Sequence, residues 1–417
     1  MSKLAMEGGI PVRSKPFPEW PIWDEREERE LLEVLHSGKW SSTSEPSPKL
    51  ATFQKCFAKS QDAKHALGVF NGTVALETAL QAAAIGYGDE VIIPPYTFIA
   101  TATSCLSVGA IPVFVDIDPQ TYNIDPTKVE EVITPRTKAI IPVHIGGCPA
   151  DLDSILDIAR RHSLLVIEDA CQAHGSEWKG RRVGAIGDLG CFSFQASKNI
   201  NAGEGGAVVS DDQELIERAW SVQNCGRIRE GAWYQHEVLG SNFRMTEWQA
   251  AVLLAQMTRF EEWAKRREEN GRYLAQRMAE IPGITPQHRD ERVTQHAYHL
   301  FIFRYDKESF GGMNRGEFLE ALRAEGIPAS PGYTPLYGAG AIQKGTAELR
   351  HFVEGHPVQY VEPDCPATER ACSEEAVWLR QTMLLGSGDD MDDILDALAK
   401  IQQAKRNFSG LSFVTQN

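Results

Sequence analysis

The chain has 417 residues, 42% of them hydrophobic and 24% charged, which is ample for a large core and about two domains. A formal charge of -15, with no basic run or aromatic-basic patch, argues against a nucleic-acid partner. The Met1–Ile10 start lacks the apolar core of a secretory signal and no stretch approaches membrane-spanning length, so a cytoplasmic protein with no membrane partner is expected.

In chain order, the proline-rich Pro11–Trp23 predicts an extended arm whose aromatic side chains pack on the body. A helical pattern follows from Glu25 to Ser37 and stops at Gly38. Ala66–Thr73 reads as a strand turning into a helix over Val74–Ala84, which puts Gly72 and Thr73 at a helix N-terminus with free N–H groups. Such an end binds phosphate, although a turn and a helix cap account for Asn71-Gly72-Thr73 equally well. Ala139–His144 is another apolar strand, and its terminal His144 either lines a site or is a hydrogen-bonded structural histidine.

The apolar run from Leu164 predicts a strand buried on both faces and ending in Glu168 and Asp169. Ligands of open α/β sheets sit at the carboxyl ends of strands, so Asp169 either caps a helix or pairs with the pyridine nitrogen of pyridoxal phosphate. Cys191–Gly206 then places Lys198 between a strand holding Ser193 and a glycine turn, a layout suited to a Schiff-base lysine. Alternating strands and helices between residues 60 and 215 predict a mostly parallel sheet covered by helices, an α/β fold. The capping-box spacing of Thr246 and Gln249 opens a long helix with Trp248, Val252, Ala255 and Phe260 on its apolar face. Beyond about residue 270 a smaller α+β unit is expected, ending in a helix from Asp390 that buries Met391, Ile394, Leu395, Leu398 and Ile401. The division read from the sequence is an arm and helix over 1–36, a large unit over 37–270 and a small unit over 271–417.

Eight cysteines, at positions 56, 105, 148, 171, 191, 225, 365 and 372, show no Cys-x-x-Cys pair, so reduced thiols are the expectation and Cys171 reads as a small buried hydrophobe. His296 and His299 lack further ligands, so no metal is expected and both histidines read as structural.

The ordered motifs Gly38-Lys39-Trp40, Asn71-Gly72-Thr73, Pro94–Ala102, Pro142-Val143-His144, Glu168-Asp169, Phe192-Ser193-Phe194 with Lys198, Gly203–Gly206 and Gly240–Arg244 together resemble the DegT/StrS family of pyridoxal-phosphate aminotransferases. That resemblance implies the aspartate aminotransferase-like fold type I, a homodimer with shared sites, and amino transfer from L-glutamine or L-glutamate to a keto sugar or keto cyclitol. Carried over by position, it makes Lys198 the Schiff-base lysine and Asp169 the pyridinium partner. It also puts Gln172 near the phenolic oxygen, Phe98 on the ring, and Ser193, Gly72 and Thr73 on the phosphate, with Asn242 reaching that phosphate from the partner subunit. The Lys39-Trp40 turn would lie near the substrate opening. Gln195 stands where many nucleotide-sugar members carry histidine, and this resembles the cyclitol and aminohydroxybenzoate-forming members. The alternatives are a nucleotide-sugar aminotransferase, an elimination or aromatisation enzyme on the same cofactor, and a cofactor-binding regulator without turnover.

Overall fold

The computed structural model describes residues 3–41, 43 and 47–411, so Met1 and Ser2 of the N-terminal reading lie outside the described residues. Among the described residues thirteen strands follow one another: β1 (His65–Val69), β2 (Glu90–Ile93), β3 (Ile111–Phe114), β4 (Thr137–Ile140), β5 (Leu165–Asp169), β6 (Glu177–Trp178), β7 (Arg181–Arg182), β8 (Leu189–Ser193), β9 (Gly206–Ser210), β10 (Ile284–Pro286), β11 (Val293–Gln295), β12 (Leu300–Tyr305) and β13 (Ala376–Arg380). Seven of them form the main sheet in the order β1-β9-β8-β5-β4-β2-β3. β9 runs antiparallel to both β1 and β8, and the remaining pairings are parallel, so six strands share one direction. This is the mostly parallel sheet expected from the alternating pattern.

Both faces of the sheet are covered, which is why its strands read as unbroken apolar runs rather than alternations. On one face Ala75, Leu76, Ala79 and Leu80 of the helix Gly72–Ala82 pack against Val69, Ile167 and Val208. On the other, Phe53 and Phe57 stack on one another and meet Phe192 and Phe194 edge-on, against Ala250 and Leu253 of the helix Glu247–Met278. That long helix starts with the expected capping box between Thr246 and Gln249. Of its expected face Ala255 and Phe260 are buried while Trp248 and Val252 are only half-buried, and Ala250, Leu253 and Ala264 complete the stripe that sits in the core. Its far end carries Leu274 and Met278 into a second core.

That second core is built on the antiparallel sheet β10-β12-β13. It includes Met391, Ile394, Leu395, Leu398 and Ile401 of the last helix, which begins at Gly388. The N-terminal arm has no helix between Pro11 and Trp23, in keeping with its prolines. Trp20 packs edge-on to Trp263 at 5.3 Å, but Trp23 is 72% exposed, so the expectation that all the arm's aromatics pack on the body is corrected there. The helix Glu25–Ser37 ends at Gly38 in the left-handed conformation, as read.

Because β1, β5 and β8 point the same way, their carboxyl ends deliver Asn71-Gly72, Asp169 and Ser193 to one edge of the sheet. The chain's chemistry collects at that edge.

Candidate active site

A cavity of about 1240 Å³ opens at this edge, walled on its far side by Ser330, Tyr333, Trp378 and Arg380 of the C-terminal part. Gly72, Thr73, Phe98, Asp169, Gln172, Ser193 and Lys198 all line it. Asn242 does not: it is exposed, held by a backbone bridge to Asn224 away from its own chain's cavity.

Lys198 sits in the turn between β8 and β9, where its N–H donates to the Gln195 carbonyl at 2.8 Å. Its amine makes no hydrogen bond or ion pair with any described residue. Burial pushes its pKa below the usual lysine value, partly offset by Cys171 and Asp169. A buried amine that faces a cavity and gives up its proton more readily than a surface lysine is suited to act as a nucleophile and a base.

Asp169 is buried, and it has no cationic partner within salt-bridge distance among the described residues. Its Oδ2 accepts from Thr101 Oγ1 at 2.8 Å and its Oδ1 from the Cys171 N–H at 3.2 Å. Thr101 in turn lies 3.1 Å from Thr97 Oγ1. These contacts fix the carboxylate's direction and leave acceptor capacity on both oxygens for a protonated partner.

Asn71 caps the helix Gly72–Ala82 by accepting from Val74 N–H, so the N–H groups of Gly72 and Thr73 lie at its first turn. A Cβ on Gly72 would stand 2.6 Å from Ser193 Cβ and 3.0 Å from its Oγ, so only glycine lets the helix end and the Ser193 hydroxyl converge. Two backbone N–H groups and one hydroxyl at a helix N-terminus make an anion cradle. Gln172 is pinned at both ends: its Oε1 accepts from Gly146 N–H at 2.8 Å and its Nε2 donates to the Tyr333 hydroxyl at 3.0 Å. Phe98 presents an exposed ring at the rim.

His144 lies outside the cavity wall. It is fully buried, its Nε2 is 2.9 Å from Glu168 and its Nδ1 accepts from Ala150 N–H, so it is the structural histidine of the two readings. Burial pushes the Glu168 carboxyl up, but His144 and the N–H groups of Gly187 and Gly184 outweigh it and hold the net value down. His299 lines the cavity with Nδ1 near Asn199, and His296 accepts from the Tyr298 N–H. Among the described residues no group of histidine, cysteine and acidic side chains could hold a metal. The Cys171 thiol is pushed well above its ordinary value, first by burial and then by Asp169, which makes it a poor nucleophile. Trp40 packs on Trp248 at 5.6 Å and is not part of the cavity wall, so the Lys39-Trp40 turn does not border this chain's own cavity.

Four contributors were not read from the sequence. Thr101 orients Asp169, Tyr333 holds Gln172, Trp20 donates to the Ala196 carbonyl at 2.8 Å beside the Lys198 turn, and Arg380 lines the wall opposite.

The donor set fits pyridoxal phosphate: an unpaired buried amine for the aldehyde, a cation-free carboxylate for the pyridine nitrogen, and an anion cradle for the phosphate. Among the described residues no helix is long and apolar enough to cross a membrane.

Comparison with known proteins agrees. Residues 21–398 match the DegT/DnrJ/EryC1/StrS aminotransferase family. A protein of Streptoalloteichus tenebrarius assigned as an L-glutamine:3-amino-2,3-dideoxy-scyllo-inosose aminotransferase is 42% identical over 96% of this chain and 98% of its own. The crystal structure of a 3-amino-5-hydroxybenzoic acid synthase superposes with a TM-score of 0.84 at 34% identity, covering 94% of this chain and all of its own. The Bacillus subtilis protein NtdA with bound cofactor PMP matches at a TM-score of 0.78 and 28% identity, covering 94% of this chain and 86% of its own.

Proposed function

The chain belongs to the DegT/DnrJ/EryC1/StrS aminotransferase family and is a pyridoxal-phosphate-dependent aminotransferase, and we propose that it moves the amino group of L-glutamine to a keto cyclitol of the amino-dideoxy-inosose type, in aminocyclitol antibiotic biosynthesis. The observation that carries this reading is the 42% identity, along nearly the whole of both chains, to the S. tenebrarius protein named for that substrate. Gln195 supports it: the side chain is neutral, lines the cavity near Lys198, and accepts from the N–H and hydroxyl of Ser197, so the wall there carries no added charge.

The bound cofactor supplies an electron sink that stabilises negative charge at the carbon gaining or losing nitrogen. The chain's residues do the rest. The Lys198 amine takes the proton from Cα of the donor in the first half-reaction and returns a proton to the ketone carbon of the acceptor in the second. Asp169 holds the proton on the pyridine nitrogen, steered by Thr101 and the Cys171 N–H. The N–H groups of Gly72 and Thr73 and the Ser193 hydroxyl would hold the phosphate, and Gln172 and Phe98, which line the same cavity, would meet the phenolic oxygen and the ring. In this reading the unit 37–270 carries the cofactor, while 271–417 supplies Tyr333 and the wall beyond it.

Loaded in its amino form, the protein should be discharged faster by scyllo-inosose-type ketocyclitols than by nucleotide-linked keto sugars. A preference for the nucleotide sugars would sink the substrate assignment and leave the transamination standing.

The proposed assembly is a homodimer in which Asn242 serves the partner's phosphate, in line with its exposure and its separation from its own cavity. Lys198→Ala and Asn242→Ala subunits, each impaired alone, should complement on refolding together at limiting cofactor. Random pairing leaves one sound site in half the dimers, which restores up to roughly a quarter of parental activity. Verified heterodimers without recovery would place Asn242 at its own subunit's service.

A further inference from the structure

We propose that Nε2 of His299 accepts a hydrogen bond from a ring hydroxyl of the keto substrate, which makes His299 a specificity residue of the second half-reaction. The proposal rests on that substrate being a keto cyclitol, as read above.

His299 stands just before β12, lines the cavity and is 8% exposed. The proton on its ring is placed by its neighbours. Asn199, the residue after Lys198, donates from its Nδ2 to the Ala297 carbonyl at 2.7 Å, so its Oδ1 is the atom turned to His299, 3.2 Å from Nδ1. An amide oxygen only accepts, so Nδ1 carries the imidazole proton and Nε2 carries a lone pair. A second proton is disfavoured, because burial first, and then Lys198, His174 and Arg267, hold the pKa well below the ordinary histidine value. Nε2 has no hydrogen-bond partner among the described residues. Both ring nitrogens of His174 are buried without a partner, whereas Nε2 of His299 is not sealed in and meets solvent, and the cavity is the space this side chain borders.

The side-chain amide oxygens of the wall are already accepting: Asn71 from Val74, Gln172 from Gly146, Gln195 from Ser197 and Gln381 from Arg267. The Nε2 lone pair is thus a neutral acceptor left for a ligand. Of the two substrates, the cyclitol is the one that brings hydroxyl donors. The carboxylate of L-glutamine has only acceptors and is repelled by a lone pair, and its amine goes to the reacting centre, which leaves the carboxamide as the one competing donor. A lone pair fixed in this way takes a hydroxyl and refuses a carbonyl or carboxylate oxygen at the same place.

His299→Asn keeps a donor toward Asn199, because the amide nitrogen can stand where Nδ1 does, and it removes the Nε2 lone pair. Half-saturation of the amino form by the ketocyclitol should rise about 3- to 10-fold, as for the loss of one neutral hydrogen bond, while the pyridoxal form reacts with L-glutamine within about twofold of the parent. A merely structural histidine would disturb both halves alike, since Asn199 adjoins Lys198 in the chain. Among ketocyclitols that each lack one hydroxyl, one should cost the parent a similar factor and cost His299→Asn nothing more. Should His299→Asn fold poorly, nitrogen NMR of the parent's histidine rings decides: Nε2 of His299 should carry no proton and should shift when the ketocyclitol binds the amino form. An unchanged half-saturation, an equal loss with L-glutamine, a variant that still discriminates against the same deoxy compound, or a protonated or unmoved Nε2 overturns the contact. A parent whose amino form is discharged by no ketocyclitol overturns the substrate reading and this contact with it.

Discussion

Lys198→Ala is expected to abolish both half-reactions, with a loss at least as large as the roughly 10²–10⁴-fold that a positioned proton-transfer group contributes, because in the proposed mechanism the same amine also holds the cofactor covalently. Borohydride treatment of the parent should fix the cofactor on Lys198, seen by peptide mass mapping, and the variant should carry no adduct there. The variant need not be less stable. Lys198 has a pKa lowered first by burial, so keeping it charged opposes folding at every pH below that lowered value. The penalty fades as pH rises toward about 10.4, the value of a free lysine. Cofactor-free Lys198→Ala should therefore melt no lower than cofactor-free parent at neutral pH, and any advantage should vanish in strong alkali. An adduct on another lysine of the parent, or a variant that still transaminates, would remove Lys198 from the centre of the site.

The parts of the site that could be read from the sequence are those fixed by local pattern. An unbroken apolar run that ends in two acids is a buried strand with its acid at the carboxyl edge, and β5 places Asp169 there. Asn71 before a run of helix formers is a helix cap, and the helix does start at Gly72. The sequence could not show which residues reach those positions from elsewhere. Thr101 meets Asp169 across 68 residues, Trp20 meets the Ala196 carbonyl across 176, and Arg267 meets Gln381 across 114. Each depends on how helices and the arm lie on the sheet, and no periodicity encodes that. His144 shows the same limit at shorter range. Its place at the end of an apolar strand was legible, but the direction of its ring is decided by Glu168 and the Ala150 N–H. Likewise the helical period located the long helix Glu247–Met278, yet packing against Phe192 and Phe194 chose which stripe to bury.

Asp169→Asn should keep the fold and much of the cofactor binding while slowing transamination by about 10- to 150-fold, from the roughly 1.5–3 kcal/mol of a hydrogen bond to a charged group. The fold should hold because the amide oxygen can still accept from Thr101 or from the Cys171 N–H, and the buried carboxylate has no cation among the described residues to leave unpaired. Cofactor binding should largely hold because the proposed phosphate contacts of Gly72, Thr73 and Ser193 and the proposed bond to Lys198 do not involve Asp169. The rate should fall because an amide carries no negative charge to keep the pyridine nitrogen protonated, and a neutral ring is a weaker electron sink when the donor's Cα loses its proton. Single-turnover measurement with L-glutamine separates this from any loss of affinity, since the defect must persist at saturation. Thr101→Val offers the graded companion: it leaves the charge and removes only the bond that aims Oδ2, so it should slow the same step by less. An Asp169→Asn protein reacting within about twofold of the parent would mean that the pyridine nitrogen finds its partner elsewhere, and the cation-free carboxylate at the end of β5 would then need another explanation.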